Sequence, residues 1–170
     1  MPDRIRGLEP HQGAGRHGAD QRGPLVGRRA EGDGSMTPDR IRAVFEKRLQ
    51  LMSPALPTGW PNVGFTPPAD GAAYQRCFLL PFDPQQIDVA QETTRDEGIF
   101  QVSLYYPPGV GAAVAGTRAA AVQAWFPAGL VLLDGQDRVR VHGKPAIAAA
   151  VDDPSRYIIP ISVRYSTISK

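Results

Sequence analysis

An alternating run of eight residues, 99–106, constrains the fold of this chain more than any other segment. Its apolar side chains recur at every second position: Phe100, Val102, Leu104 and Tyr106. Gln101 and Ser103 stand between them. Because successive strand residues point to opposite faces, the run predicts a strand with one buried side and one solvated or partner-facing side. Such one-sided burial is typical of an antiparallel sheet.

Helical and strand patterns follow one another along the rest of the chain. Thr37-Pro38 predicts the start of a helix that ends before Pro54, because a hydroxyl cap followed by proline is a typical first turn. A second helix is predicted over 110–125, with one face made of Val114, Arg118, Ala121, Val122 and Trp125. Further strands are predicted at 74–80, 130–133, 138–142 and 156–166. This order predicts an α+β fold, in which two helices pack on one face of a mainly antiparallel sheet of four to five strands.

Two features of this predicted sheet favour contacts with other chains. Pro160 lacks an N–H for the strand ladder, so it should place the last strand at a sheet edge or at a bulge. The polar stretch 82–97 predicts a long loop or an extended hairpin, and loops of this length are often functional. The predicted interface residues are Gln85, Gln86, Asp88, Glu92, Arg95 and Pro160. The alternative is a proline that only blunts the edge and a loop that is only solvated.

The first 35 residues differ in composition from the remainder. They contain eight glycines and six arginines but no aromatic residue, so they cannot bury enough surface to offset chain entropy. We therefore predict a disordered extension over 1–35 and a single domain over 36–170. Two interpretations stay open for the extension: a basic arm that touches a partner, or an upstream addition through a misassigned start. The protein-like sequence from Met36 onward favours the second.

Charge and cysteine content exclude several classes of function. The net charge of +2 gives no global basic field, so no specific nucleic-acid partner is expected. No run approaches the roughly 18 apolar residues of a membrane span, so no membrane partner is expected. Cys77 is the only cysteine, which excludes an internal disulfide and a cysteine-cluster metal site.

Candidate catalytic groups have simpler structural interpretations. Gly109 and Gly111 lie between a strand and a helix, with Asp134 further on, as in a dinucleotide-binding unit. Against that hypothesis, the third glycine is missing, two prolines separate loop and strand, and the strand is not apolar on both faces. His142 has no partner for a metal, and Cys77 fits an inert half-buried thiol. The pair 152–153 precedes Pro-Ser and fits a turn. We predict no catalytic, cofactor-binding or metal-binding residues, and no enzyme activity.

Five segments of the chain carry a resemblance to a known family. They are Thr37-Pro-Asp-Arg-Ile-Arg42, Asn62-Val-Gly-Phe-Thr-Pro-Pro-Ala-Asp-Gly71, Tyr74-Gln-Arg76, Glu97-Gly-Ile-Phe-Gln-Val-Ser-Leu-Tyr-Tyr-Pro107 and Arg156-Tyr-Ile-Ile-Pro-Ile-Ser-Val-Arg-Tyr165. In this order, from Met36 to Ser166, the chain resembles the tail-terminator-like (tail completion) proteins of long-tailed bacteriophages and prophages. The first 35 residues lie outside the resemblance.

The resemblance implies a structural role in the virion. It implies a small α+β subunit that forms a homo-oligomeric ring, expected to be hexameric, at the head-proximal end of the tail. The ring would cap the tail tube and stop its elongation, with the tail tube protein and the head–tail connector as partners and no cofactor. Assembly would take place in the cytoplasm of the bacterial host. The alternatives are another neck or tail subunit, such as a head-closure or tube protein, and a small dinucleotide-binding enzyme.

Overall fold

Strands dominate the part of the chain that the structure describes. The structure is a computed structural model, and it describes residues 36–69, 71–90 and 92–169. Strands hold 43% of these residues and helices 20%. The disorder predicted for 1–35 lies outside the described residues.

One mixed sheet carries the fold, and it curls into a half-barrel. It contains eight described strands: β1 (Thr58–Gly59), β2 (Tyr74–Pro81), β3 (Gln85–Gln86), β4 (Thr94–Tyr106), β5 (Val131–Asp134), β6 (Asp137–Ile147), β7 (Val151–Asp153) and β8 (Arg156–Ser169). The strand order is β1-β2-β4-β8-β6-β5, while β3 pairs with β4 and β7 with β8. Only the β1–β2 pair is parallel among the described strands.

The predicted fold class is therefore wrong. The fold is mostly β with a larger mixed sheet, instead of an α+β fold with a mainly antiparallel sheet of four to five strands. The missed strands β1, β3 and β7 are two or three residues long and therefore show no hydrophobic period. β1 and β3 also lie beside prolines that favour irregular structure.

Helix α1 (Pro38–Gln50) begins where the sequence predicts. The hydroxyl of Thr37 accepts a hydrogen bond from the backbone N–H of Arg40 at 3.4 Å, which satisfies one of the free donors of the first turn. Arg40 also forms ion pairs with Asp134 at 2.8 Å and Asp137 at 2.7 Å. These pairs join the start of α1 to the β5–β6 turn.

Helix α2 (Ala113–Trp125) buries a face that only partly matches the predicted one: Arg118 and Val122 are buried as predicted, but Val114 and Ala121 are exposed. Its buried residues are Ala115, Arg118, Ala119 and Val122, whereas Val114 is 62% exposed. An alanine-rich helix has small apolar side chains on every side, so its sequence does not fix which side packs. The two helices meet at their C-terminal ends, where Trp125 Nε1 donates to the carbonyl of Arg48 at 2.8 Å and the Arg48 guanidinium donates to the carbonyl of Trp125 at 2.9–3.0 Å.

Phe45 of α1 lies at the centre of the core. Its ring stacks on Phe100 of β4 with the centroids 4.8 Å apart, and lies 5.5 Å from Tyr165 of β8 and 5.9 Å from Phe126. The buried residues of α2 and the inward residues of β4, β6 and β8 belong to the same cluster. We call this side of the sheet the core face.

The sequence predicted that Pro160 places its strand at a sheet edge or at a bulge, and the edge alternative is wrong. β8 lies in the interior of the sheet, between β4 and β6. The ladder to β6 ends at Ile161, the ladder to β7 begins at Ile158, and the carbonyl of Pro160 accepts from the N–H of Ala148 between them. Because Pro160 sits where the two ladders change over, its missing N–H leaves no ladder bond unmade.

Candidate assembly surfaces

The face of the sheet opposite the core carries no helix among the described residues. We call it the outer face. The register shows which side chains lie on this face. Arg164 of β8 lies beside Ile99 of β4 and His142 of β6 on the outer face, while Tyr165 and Val141 point to the core. An uncovered sheet face on a small domain is available to a partner.

A groove lies on the outer face, where β5, β6 and β8 run side by side. We call it the basic groove, and it has a volume of about 540 Å³. Its lining residues are Arg95, Val131, Gln136, Asp137, Arg138, Arg140, His142, Ser166, Thr167 and Ile168. Cations dominate this lining, and the one carboxylate among its described residues, Asp137, already pairs with Arg40 at 2.7 Å. The groove therefore suits an anionic group.

A loop of opposite charge projects from the β3–β4 hairpin. We call the segment Asp83–Ala90 with Glu92 and Thr93 the acidic loop, since it holds three carboxylates and no cation. The Asp88 carboxylate accepts from the N–H groups of Glu92 at 3.2 Å and Thr93 at 3.0 Å. These backbone hydrogen bonds, above all that from Thr93, hold the pKa of Asp88 below its ordinary value. The loop therefore has a defined shape and an ionised side chain at its centre.

The edge of β2 presents an apolar ridge. Phe78, Leu80 and Phe82 are 39%, 44% and 50% exposed. On the edge of β2 that faces away from β4, β1 pairs only with Gln75 and Arg76. Beyond Arg76, no described strand pairs with this edge. β5 is the other end of the strand order. Among the described strands of four or more residues, β2 beyond Arg76 and β5 have an open edge, whereas the sequence predicted an edge or a bulge for the strand with Pro160.

The structure brings five of the six predicted interface residues together. Gln85 and Gln86 pair with Arg95 and Thr94, Asp88 and Glu92 belong to the acidic loop, and Arg95 also lines the basic groove. Pro160 lies opposite Ser103, eight residues along β4 from Arg95 and thus about 26 Å away.

Sequence reasoning missed Arg138 and Arg140. Their alternation with Val139 and Val141 was the available signal, since it predicts that both arginines lie on the face of the strand opposite the valines.

Candidate catalytic groups are not assembled into a site. β4 has antiparallel neighbours on both sides, β2 and β8, whereas a dinucleotide-binding unit needs parallel strands. Cys77 is fully buried, and this burial raises the pKa of its thiol to about 12. The exposed His142 ring contacts the Ser166 hydroxyl. Asp153 caps a turn by accepting from the N–H of Ser155 at 2.9 Å.

The described part of the chain holds neither a metal-ligand cluster nor a membrane-spanning helix. No group of three or more His, Cys, Asp or Glu side chains there could hold a metal ion. None of the described helices is long and apolar enough to cross a bilayer.

Comparisons with known proteins connect this fold to one family. The family model described as phage tail terminator protein matches residues 40–165. A solved structure is 35% identical with a TM-score of 0.64, and the match covers 78% of this chain and 96% of that chain. No curated protein matches the chain. The match to the family model spans most of the chain and nearly all of its described strands, and the family has a structural role in the phage tail. The chain belongs to the phage tail terminator family.

Proposed function

We propose that this protein forms a ring that caps the tail tube at its head-proximal end, ends tube elongation and offers a joining surface to the head connector. The family match over residues 40–165 carries the proposal. In this function the protein acts by binding and performs no chemistry. Its partners are further copies of itself, expected to number six, the tail tube protein and the connector. It is assembled in the host cytoplasm and resides at the head-proximal end of the virion tail.

The open edges of the sheet support assembly into a ring. Unpaired N–H and C=O groups along β2 and β5 can pair with or lie against another chain. The apolar ridge of Phe78, Leu80 and Phe82 follows the β2 edge, and burying such side chains favours association by about 25 cal/mol per Å². A ring of identical subunits can cover one such edge on each copy.

Capping requires that the two faces of the ring differ. One face must bind the last layer of tube subunits, and the other must lack what the next layer would need. The two ends of this sheet do differ: one carries the acidic loop and the β5–β6 turn, the other the glycine-rich entry to α2. A subunit whose two ends differ in this way gives a ring with two unlike faces.

Tail length in assembled particles tests the proposal. Tails made without this protein should be over-long, and adding the wild-type gene should restore their length in electron micrographs. Normal-length tails without heads would instead identify a head-closure protein, and the absence of any tubes would identify a tube subunit. Either result would reject the terminator role.

A deletion within the hairpin tests the predicted interface. Removing residues 85–94 takes away β3 and most of the acidic loop. We expect loss of ring formation and of capping, because the deletion removes four of the predicted interface residues while the core residues remain. Unaltered rings and normal tube lengths would exclude this hairpin from the interface.

A further inference from the structure

We propose that the acidic loop of one copy inserts into the basic groove of the next copy, so that one repeated loop-into-groove contact closes the ring. This inference rests on the ring proposed above and identifies the two surfaces that form it.

Internal hydrogen bonds shape the described part of the acidic loop as a knob. Its base is closed by the N–H of Ile87, which donates to the carbonyl of Thr93 at 3.1 Å. The two bonds to the Asp88 carboxylate hold the turn inside it. Val89 stands at the tip with its side chain fully exposed. Hydrogen bonds that the loop already makes before docking lower the conformational entropy that docking costs.

The basic groove offers a matching socket. Val131 and Ile168 are 44% and 56% exposed and give it an apolar floor. Arg138 and Arg140 line it, and neither forms an ion pair among the described residues. Arg95 adds a third guanidinium, only loosely paired with Glu97 at 3.8 Å. The apolar tip and the carboxylates of the knob therefore meet an apolar floor with cationic walls.

The acidic loop carries two exposed carboxylates besides Asp88: Glu92 lies within the turn closed by Ile87 and Thr93, and Asp83 precedes β3. Asp83 and Glu92 are exposed, and neither side chain forms an ion pair among the described residues. Opposite charges brought together in a groove from which water is partly excluded make the contact more specific and raise the association rate. A nucleic acid would satisfy the arginines but has no aliphatic knob for Val131 and Ile168. The chain itself supplies both the charge and the shape, which favours a second copy as the occupant.

The exposure of the knob makes this contact intermolecular. The loop leaves the sheet beside β4 and adjoins the groove at Arg95, which pairs with Gln85. From there the groove extends across β8 and β6 to β5, four strand spacings or about 19 Å from β3 along the path β3-β4-β8-β6-β5. Full exposure of Val89 means that the loop does not occupy its own groove. Two different surfaces of one subunit form a head-to-tail contact, which closes into a ring when the rotation allows.

Two variants with opposite defects test the inference. V89D/E92K loses the knob but keeps the socket, and R138E/R140E loses the socket but keeps the knob. All four positions are exposed, so folding should be unchanged by circular dichroism. The wild type is first assayed for rings by mass photometry, alone and with purified tail tubes. The variants are then assayed in whichever condition gives rings.

We expect the two variants to bind each other but not to form a ring. Each variant alone should fail to form rings, with subunit affinity weakened at least about 30-fold, as for an interface centre. A one-to-one mixture should give heterodimers and nothing larger, because each pair has one intact contact and one broken one. The matched controls, V63D and K47E, change an exposed valine and an exposed lysine elsewhere and should form normal rings.

Other outcomes would overturn the inference in distinguishable ways. Rings of wild-type size from either variant would show that another surface closes the ring, and the proposed function would stand. Loss of DNA binding by R138E/R140E with intact rings would make the groove a nucleic-acid site. A wild type that forms no ring in either condition would reject the proposed ring, and this contact with it.

Discussion

Among the described glycines, Gly98 is the one where an added methyl group would meet the closest atoms. A Cβ built on Gly98 would lie 2.5 Å from the Tyr165 hydroxyl oxygen, 2.6 Å from the Leu80 carbonyl oxygen and 2.8 Å from Tyr165 Cζ. Gly98 is buried in β4, between Pro81 of β2 and Tyr165 of β8. The Tyr165 ring crosses the space where a side chain would be. Gly98→Ala should therefore separate two strands of the central sheet.

The size of the effect follows from what can move. Overpacking a core costs about 1–3 kcal/mol, and the low end applies when a side chain can rotate away. Here one contact is a backbone carbonyl and the other the end of a ring wedged beside Phe45. We therefore expect Gly98→Ala to lower the free energy of unfolding by about 3 kcal/mol. With a urea m-value of about 2 kcal/mol/M, the unfolding midpoint should fall by about 1.5 M.

Urea unfolding followed by tryptophan fluorescence measures this change. Gly116→Ala is the control: its Cβ would meet nothing within 4 Å, so it should raise helix stability by about 1 kcal/mol. Tyr165→Phe should be close to neutral, because the buried hydroxyl has no partner, and it should recover part of the loss in the Gly98→Ala background. A Gly98→Ala midpoint within 0.2 M of wild type, roughly the error of such fits, would refute the packing of Tyr165 over Gly98.

Three further predictions concern titratable groups. Cys77 should not react with a thiol reagent at pH 8 until urea unfolds the protein, because burial raises its pKa to about 12; reaction in the folded state would contradict this. The lowered pKa of Asp88 means that its bonds stabilise the acidic loop above the ordinary aspartate pKa of about 3.9 and are lost as the pH falls through the lowered value. Protection of the Thr93 amide from hydrogen exchange should follow that loss and should vanish in Asp88→Ala at every pH. Arg118 is 7% exposed, and its Nε and Nη2 atoms have no partner. Arg118→Met should therefore be neutral or stabilising by about 1 kcal/mol in urea unfolding, and a loss above 2 kcal/mol would show that the bond to the Pro54 carbonyl at 2.7 Å outweighs the buried charge.

The sequence predicted the long elements and missed the pairing of the short ones. The alternation in 99–106 and in 156–166 identified β4 and β8, because each buries every second side chain on the core face. β1, β3 and β7 exist because longer neighbours offer them free ladder positions. Which ladder positions are free depends on the register between distant segments, and a strand of two or three residues cannot encode that register.

Pro160 shows how a correct local rule can give a wrong position. Proline does avoid places where a strand must donate a hydrogen bond, and the rule holds here. The sequence could not reveal that β6 and β7 divide one side of β8 between them and leave a ladder gap in the middle of the sheet. The interface predictions nearer the β3–β4 hairpin depended only on polarity and loop length, which are local properties.

The near-neutral charge of the chain conceals a separation of charge that assembly can use. The net charge of +2 excluded a global basic field, yet the fold gathers Arg95, Arg138 and Arg140 at one groove and places the carboxylates of Asp83 and Glu92 on a loop that projects beyond it. A subunit with one sign of charge throughout would repel its own copies. A subunit with separated patches of opposite charge favours approach of the next copy in one orientation, since acid-to-acid and base-to-base approaches are unfavourable. Added salt should therefore slow ring formation more than it weakens finished rings, because screening acts on approaching charges and leaves the contact of Val89 with the apolar floor intact. Ring assembly rates that do not change between 0.05 and 0.5 M salt, a range over which the Debye length falls from roughly 14 to 4 Å, would contradict this account.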